Sequence, residues 1–190
     1  NYNKGKLEKV IKLGKKFLKK NNDFQILYVL GLTYLTLKDY LEAEKFFKSI
    51  ILLKPNAENY YIYGNIHKQL KNYNEASEIF LKAINLKPDY SEAYNNLGNI
   101  KFKLGFIDEA IQNYSKAIKY NEKNIPAYFN LAHVYSEEKN FSDLKKVLQD
   151  VLRFDENNTT ALNDLGYLNL ILGNVDKGRK LFERVLDIDS

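Results

Sequence analysis

Asparagine amides and two histidines are the side chains of this 190-residue sequence with the most chemistry to offer. An asparagine amide carries two N–H donors and a carbonyl acceptor, so a row of them on one surface can hold a polypeptide backbone without selecting its side chains. The densest run is AYNNLGN, residues 93–99. His67 and His133 fall on different helices, and neither is accompanied by cysteine or by an acidic cluster at metal-ligand spacing. The carboxylate pair Asp108–Glu109 reads as a partner of a helix dipole, while Glu137–Glu138 and Asp187–Asp189 read as surface charge. There is no glycine–lysine phosphate loop, nucleophile elbow or dinucleotide fingerprint. The expectation is a chain that is not an enzyme and takes no metal or cofactor.

The elements that must position these groups follow from the unit Ser91–Asn124, of which the flanking segments are imperfect copies. Tyr94, Leu97, Gly98 and Lys101 recur at i, i+3, i+4 and i+7, and Leu104 continues the face, so one helix presents this stripe inward. Gly105 interrupts it. A second helix starts at Ile107 and carries Ala110, Tyr114, Ala117 and Ile118 on its apolar side. Gly98 and Ala110 are small where two antiparallel helices come closest. The position of Gly98 recurs as Gly31, Gly64, Ala132 and Gly166, at spacings of 33, 34, 34 and 34. That of Ala110 recurs as Ala43, Ala76, Leu144 and Gly178, and the next large position holds Phe47, Phe80, Tyr114, Leu148 and Phe182. In the second copy His67 takes the stripe position of Tyr34, which reads as packing.

This register resembles the tetratricopeptide repeat, whose signature sets an aromatic, Leu-Gly, Tyr, Ala, Phe, Ala and Pro at fixed offsets. Pro55 and Pro88 close the first two copies; Glu122 and Glu156 replace that proline later, and Lys101 and Asn169 depart from the family's tyrosine. The resemblance implies an all-α fold, a right-handed superhelical solenoid of antiparallel helix pairs. Five copies are expected at 24–56, 57–90, 91–124, 125–158 and 159–190, preceded by a basic partial repeat or capping helix over 1–23. It also implies that the remaining face of each leading helix lines a concave peptide-binding groove. The candidate groove residues are Tyr61, Asn65, Asn95, Asn96, Asn99, Phe102, Phe129, Asn130, His133 and Asn163, with Lys68, Ser136, Asp164 and Tyr167 in the same rows. Asn96 and Asn130 share one register position, where the chain is similar to the asparagine ladder of the repeat superhelix in protein O-linked N-acetylglucosamine transferases; Val29, Ile62 and Asp164 interrupt it. The carboxylate clamp of chaperone-tail domains is matched by Asn65 and Asn96, but Tyr61, Pro126 and Asn130 replace its basic residues, so an acidic C-terminus is not the expected ligand.

Charge narrows the partners further. The net charge is +5, yet residues 1–20 alone hold eight lysines and one glutamate. Leu7, Val10, Gly14 and Phe17 are expected to form the inner face of that segment, with Lys9, Lys12, Lys16 and Lys20 solvated on its other sides. Nucleic acid is therefore not an expected partner. No apolar run approaches the roughly 20 residues that span a bilayer, and the start at Asn1 without methionine suggests a fragment or a processed form. Absence of cysteine leaves the compartment open. The expected function is a non-catalytic scaffold binding an extended protein segment. The alternatives are the targeting portion of a larger enzyme, for example a glycosyltransferase, and a homo-oligomer formed through apolar surface at Tyr28, Val29, Leu32 and Leu35 or at Tyr167, Leu170 and Ile171.

Overall fold

The computed structural model describes residues 2–19 and 23–189; Lys20 of the expected lysine stripe, Asn21 and Asn22 of the polar break that follows it, and Ser190 of the fifth copy lie outside the described residues. Among the described residues there are eleven α-helices and no strands: α1 Tyr2–Leu18, α2 Phe24–Thr36, α3 Tyr40–Leu53, α4 Ala57–Gln69, α5 Tyr73–Leu86, α6 Ser91–Lys103, α7 Ile107–Tyr120, α8 Ile125–Glu137, α9 Phe141–Phe154, α10 Thr159–Ile171 and α11 Val175–Asp189. The chain divides into two compact units, Asn1–Ile100 and Lys101–Ser190, and the division falls in the last turn of α6.

Sequence-local chemistry sets the helix ends. Side-chain oxygens of Asp23, Asp39, Asn56, Asn124, Asn140 and Asn158 accept from backbone N–H groups two or three residues on, satisfying donors that the first helical turn leaves open. Part of the asparagine content is thus helix capping. The turn after each leading helix closes in one way: Asp39 N–H donates to the Tyr34 carbonyl, and Asn72 to His67, Phe106 to Lys101, Asn140 to Tyr135 and Asn174 to Asn169, at 2.8–2.9 Å. This closure needs a left-handed residue, supplied by Lys38, Lys71, Gly105, Lys139 and Gly173. Glycine takes that conformation freely, whereas each lysine bears roughly 1–2 kcal/mol of strain. The turn is held by the hydrogen bonds around it as well as by its residue type.

In the first unit Leu27, Tyr34, Ala43, Phe47, Ile50, Tyr63 and Ile66 form one buried cluster. Gly31 and Gly64 are small for a specific reason: a Cβ there would lie 2.8 Å from the rings of Phe47 and Phe80 respectively. Each fully buried phenylalanine contributes about 1.5–3 kcal/mol relative to exposure. Helix α1 packs on α2, but on a different face from the one expected. Ile11 and Leu18 join the cluster and Gly14 abuts Leu30, while Val10 is exposed and Phe17 is 59% exposed. A helix resting on a single neighbour buries a narrow stripe, and contact with α2 selects Ile11 and Leu18. Lys15, which lies outside the expected lysine set, has its ammonium 3.4 Å from Glu42 and 5.3 Å over the Tyr34 ring.

The second unit repeats the same design. A Cβ on Gly166 would lie 2.6 Å from Phe182, and one on Gly178 would lie 3.0 Å from the Gly166 carbonyl oxygen. Glycine at the first position makes room for a ring, and a small residue at the second makes room for backbone. Leading helices here are buried on two sides, because α8 packs on α7 as well as α9, and α10 on α9 as well as α11. Val134 and Leu168, two residues beyond the small position, are accordingly buried. Thr33, Ile66 and Ile100 hold that row in the first unit.

Candidate functional site

In the first unit the site grows from two leading helices that bring register rows 31–35 residues apart into hydrogen-bonding distance. Asn96 on α6 is 8% exposed and directs its amide at α4. Its Oδ1 accepts from Lys68 Nζ at 2.8 Å, and its Nδ2 donates to Asn65 Oδ1 at 3.0 Å and to the Tyr61 hydroxyl at 3.2 Å. Since an ammonium is only a donor, Lys68 fixes which end of the Asn96 amide faces it, and the other end must then donate. Asn65 passes the chain on by donating to the Tyr61 carbonyl at 3.1 Å. The Tyr61 ring lies 5.9 Å from Phe80 and 4.9 Å from Tyr90, and the Lys87 ammonium lies over the Tyr90 ring at 4.6 Å. Burial pushes the Tyr90 hydroxyl up to about 12, with smaller contributions from Tyr61 and Glu92. The α4–α6 face is therefore a closed polar network with aromatic walls.

Deeper in the same unit, His67 is buried against Tyr63 in an edge contact at 4.6 Å, and both ring nitrogens are without a hydrogen-bond partner. Burial lowers its pKa, opposed by Glu44 and Glu75. Tyr63 donates to Glu44 at 3.2 Å, and burial, then Glu44, push its hydroxyl up to about 12. A neutral imidazole in this setting packs, as its stripe position indicates.

In the second unit the corresponding rows stay open. Phe129, His133 and Ser136 of α8 and Asp164 and Tyr167 of α10 line a cavity of about 250 Å³, floored by Leu144 and Leu168. His133 meets Phe102 edge-on at 5.4 Å, and Tyr167 meets Phe182 at 5.3 Å. Asp164 is the counterpart of Asn96 by register. No described residue hydrogen-bonds or ion-pairs with its carboxylate, and burial by the cavity walls holds its pKa above the usual carboxylate value.

The structure thus joins Tyr61, Asn65 and Asn96 of the expected set in one network, and places Phe129 and His133 on one hollow, with Phe102 against the His133 ring. Asn95, Asn99, Asn130 and Asn163 lie half-buried on the same helices. Asn96 differs from the sequence expectation of a solvent-accessible amide: its side chain faces the protein, and all three of its hydrogen bonds are internal. Lys68 and Asp164 carry more of the chemistry than their neighbours in the expected set. Tyr90 precedes α6 and falls in none of the leading-helix rows; its position two residues after Pro88 is the only signal in the sequence.

The hairpins, their recurring turns and the paired rows define a helical-repeat protein. A tetratricopeptide repeat model matches residues 24–56, 125–158 and 159–190, more than half of the chain, and a TPR repeat model matches 64–105 and 98–138. The chain belongs to the tetratricopeptide repeat family. No curated protein matches it in sequence. Among solved structures, MamA is similar with a TM-score of 0.76 and 23% identity, over 84% of this chain and 94% of that one. The C-terminal part of a repeat protein from Cytophaga hutchinsonii aligns with a TM-score of 0.84 and 17% identity, over 98% and 76%. YrrB, described as a TPR protein with an unusual peptide-binding site, aligns with a TM-score of 0.69 and 20% identity, over 92% and 91%. These likenesses extend to the fold, and the family is one of protein-interaction scaffolds. Among the described residues, no helix is long and apolar enough to cross a membrane, and no group of three or more His, Asp or Glu side chains could hold a metal ion.

Proposed function

We propose that the chain is a non-catalytic scaffold that binds an extended segment of another protein along the leading-helix faces of its repeats at 24–56, 57–90, 91–124, 125–158 and 159–190. One observation carries this reading: hairpin packing consumes the other faces of these helices, yet leaves Asn95, Asn99, Phe129, Asn130 and Asn163 half-exposed in register. Asn95, Asn99, Asn130 and Asn163 provide amides for a polypeptide backbone, and Phe129 with His133 provides apolar contact. Asn96 has a different role, that of holding α6 against α4 so that its neighbours keep their spacing. Of the two asparagines that carry the similarity to an asparagine ladder, Asn96 is turned inward and Asn130 is half-buried. A few hydrogen bonds at a net of about 1 kcal/mol each, with partial aromatic burial, correspond to roughly micromolar affinity.

The test is selection of a displayed random-peptide library on the whole chain, followed by calorimetric titration of the enriched peptides. Replacing Asn95, Asn99 and Asn163 together by Ala should weaken binding about tenfold or more, with helicity retained. Replacing Lys82, Lys116 and Lys145 on the following helices by Gln should leave it unchanged. Loss of binding only in the lysine variant would move the site to the other face and refute the proposal.

A further inference from the structure

The cavity between α8, α9 and α10 has a composition unlike the rest of the leading-helix face. Its walls are largely aromatic and aliphatic, from Phe129, Phe141, Leu144 and Tyr167, with His133, Ser136 and the acidic Asp164 as its polar lining. Asp164 is the only formally charged residue of α10. The corresponding crossing in the first unit is satisfied internally by Asn96, whereas Asp164 receives no hydrogen bond from any described residue. The Asp164 residue is solvent-accessible, so its carboxylate is reachable by an arriving cation, and no counter-charge is in contact with it to compete. The volume, about 250 Å³, is below the roughly 300–1,000 Å³ of pockets that take a drug-sized ligand, and suits one long side chain.

We infer that this cavity is the receptor for a single arginine side chain of the bound segment, its guanidinium at Asp164 and its methylene stem against the apolar floor. The inference rests on the proposed peptide-binding role of the leading-helix face and names one anchor within it. Arginine is preferred to lysine for two reasons. A guanidinium is more weakly hydrated and so loses less on entering a hollow, and its plane stacks on aromatic rings such as those of Tyr167 and Phe129. Tyr167 is 62% exposed, so its ring is accessible to an entering group. The net charge of +5 does not prevent this, because exposed lysines more than about 8–10 Å away are largely screened at physiological salt, while a carboxylate in contact is not. The site makes the scaffold selective at one residue of an otherwise backbone-held segment.

The experiment uses the full chain, isotope-labelled, and three small probes: the N-acetyl N′-methylamides of arginine, citrulline and norleucine. Amide resonances of Ser136, Asp164, Tyr167 and Ile171 should shift saturably with the arginine probe in the millimolar range. The citrulline probe, which keeps the shape and loses the charge, should bind at least fivefold more weakly, and added salt should weaken the arginine probe alone. Asp164→Asn should abolish the difference between arginine and citrulline. The salt arm is measured on the unaltered protein, so the inference is testable even if the variant misfolds. Equal or stronger binding of norleucine, shifts confined to other helices, or an arginine preference that survives Asp164→Asn would each overturn it. Library peptides that bind the leading-helix face without a basic residue near Tyr167 would also refute the anchor while leaving the scaffold reading intact. Probe binding at Asp164 with no enriched peptide would do the reverse.

Discussion

The same register rows are put to opposite uses in the two units. Around Asn96 the next repeat's side chain reaches back to the aromatic, amide and lysine of the preceding one and closes the space with three hydrogen bonds. Around Asp164 the preceding repeat offers Phe129, His133 and Ser136 instead, and a hollow of about 250 Å³ is left. Backbone geometry does not explain the difference, because the small-residue contacts with Phe80 and Phe182 and the turn closures are alike. A repeat scaffold can therefore set aside one crossing for holding helices together and another for a ligand by exchanging a few side chains in rows that the hairpin core does not use.

The largest test of this contrast is Asn96→Ala. It removes one acceptor from the Lys68 ammonium and one donor each from Asn65 and Tyr61, so stability should fall by about 2–4 kcal/mol in urea unfolding. A loss under about 0.5 kcal/mol would mean the network holds nothing together. Next come Gly64→Ala and Gly166→Ala, one in each unit. Both drive a methyl into a phenylalanine ring and should cost about 1–3 kcal/mol apiece, whereas Gly5→Ala, with nothing within 4 Å of the new carbon, should be neutral or stabilising. Unequal costs at Gly64 and Gly166 would show that the units differ in their cores as well as on their faces.

The two histidines sharpen the contrast through pH. Burial holds the pKa of His67 below its ordinary value, so below about 6.5 the unfolded chain takes up a proton before the folded one does. This part of the stability is present above about pH 6.5 and is lost as pH falls toward the lowered folded-state value. The charged and titratable groups around His67 are Tyr63, Glu44 and Glu75, and both carboxylates oppose the shift. His67→Tyr, which copies Tyr34 of the preceding repeat, should remove that component from the midpoint-against-pH curve. His133→Tyr, at an exposed position, should leave it in place. The smallest effect is expected for Asp164→Ala, within about 0.5 kcal/mol of the unaltered chain, because that side chain makes no internal bond to lose. A loss as large as that of Asn96→Ala would end the distinction between the two crossings.

Much of the fold was legible from residue spacing. Small residues at 31, 64 and 166 and large ones at 47, 80 and 182 report a hairpin contact about 16 residues apart in sequence, and local periodicity is enough to read it. The partial repeat was read less well, because Val10 and Ile11 both fit a helical face and only the helix packed against them chooses between the two. The candidate site was legible as rows and not as states. Asn96 and Asn99 look equivalent in sequence, yet one is buried with its amide turned to α4 and the other is half-buried.

By itself, the sequence determined an all-α chain of repeated helix pairs, the places where helices meet closely, and which helix faces are spent on packing. These follow from periods of 3.6 and about 34 residues and from side-chain volume, which act within one hairpin. Tertiary structure alone decided that asparagines divide between caps, a buried network and a half-exposed face, and that the rows close at Asn96 and open at Asp164. Those outcomes depend on partners 28–35 residues away in the neighbouring repeat, where tyrosine, asparagine and lysine satisfy Asn96 and phenylalanine, histidine and serine leave Asp164 beside a hollow.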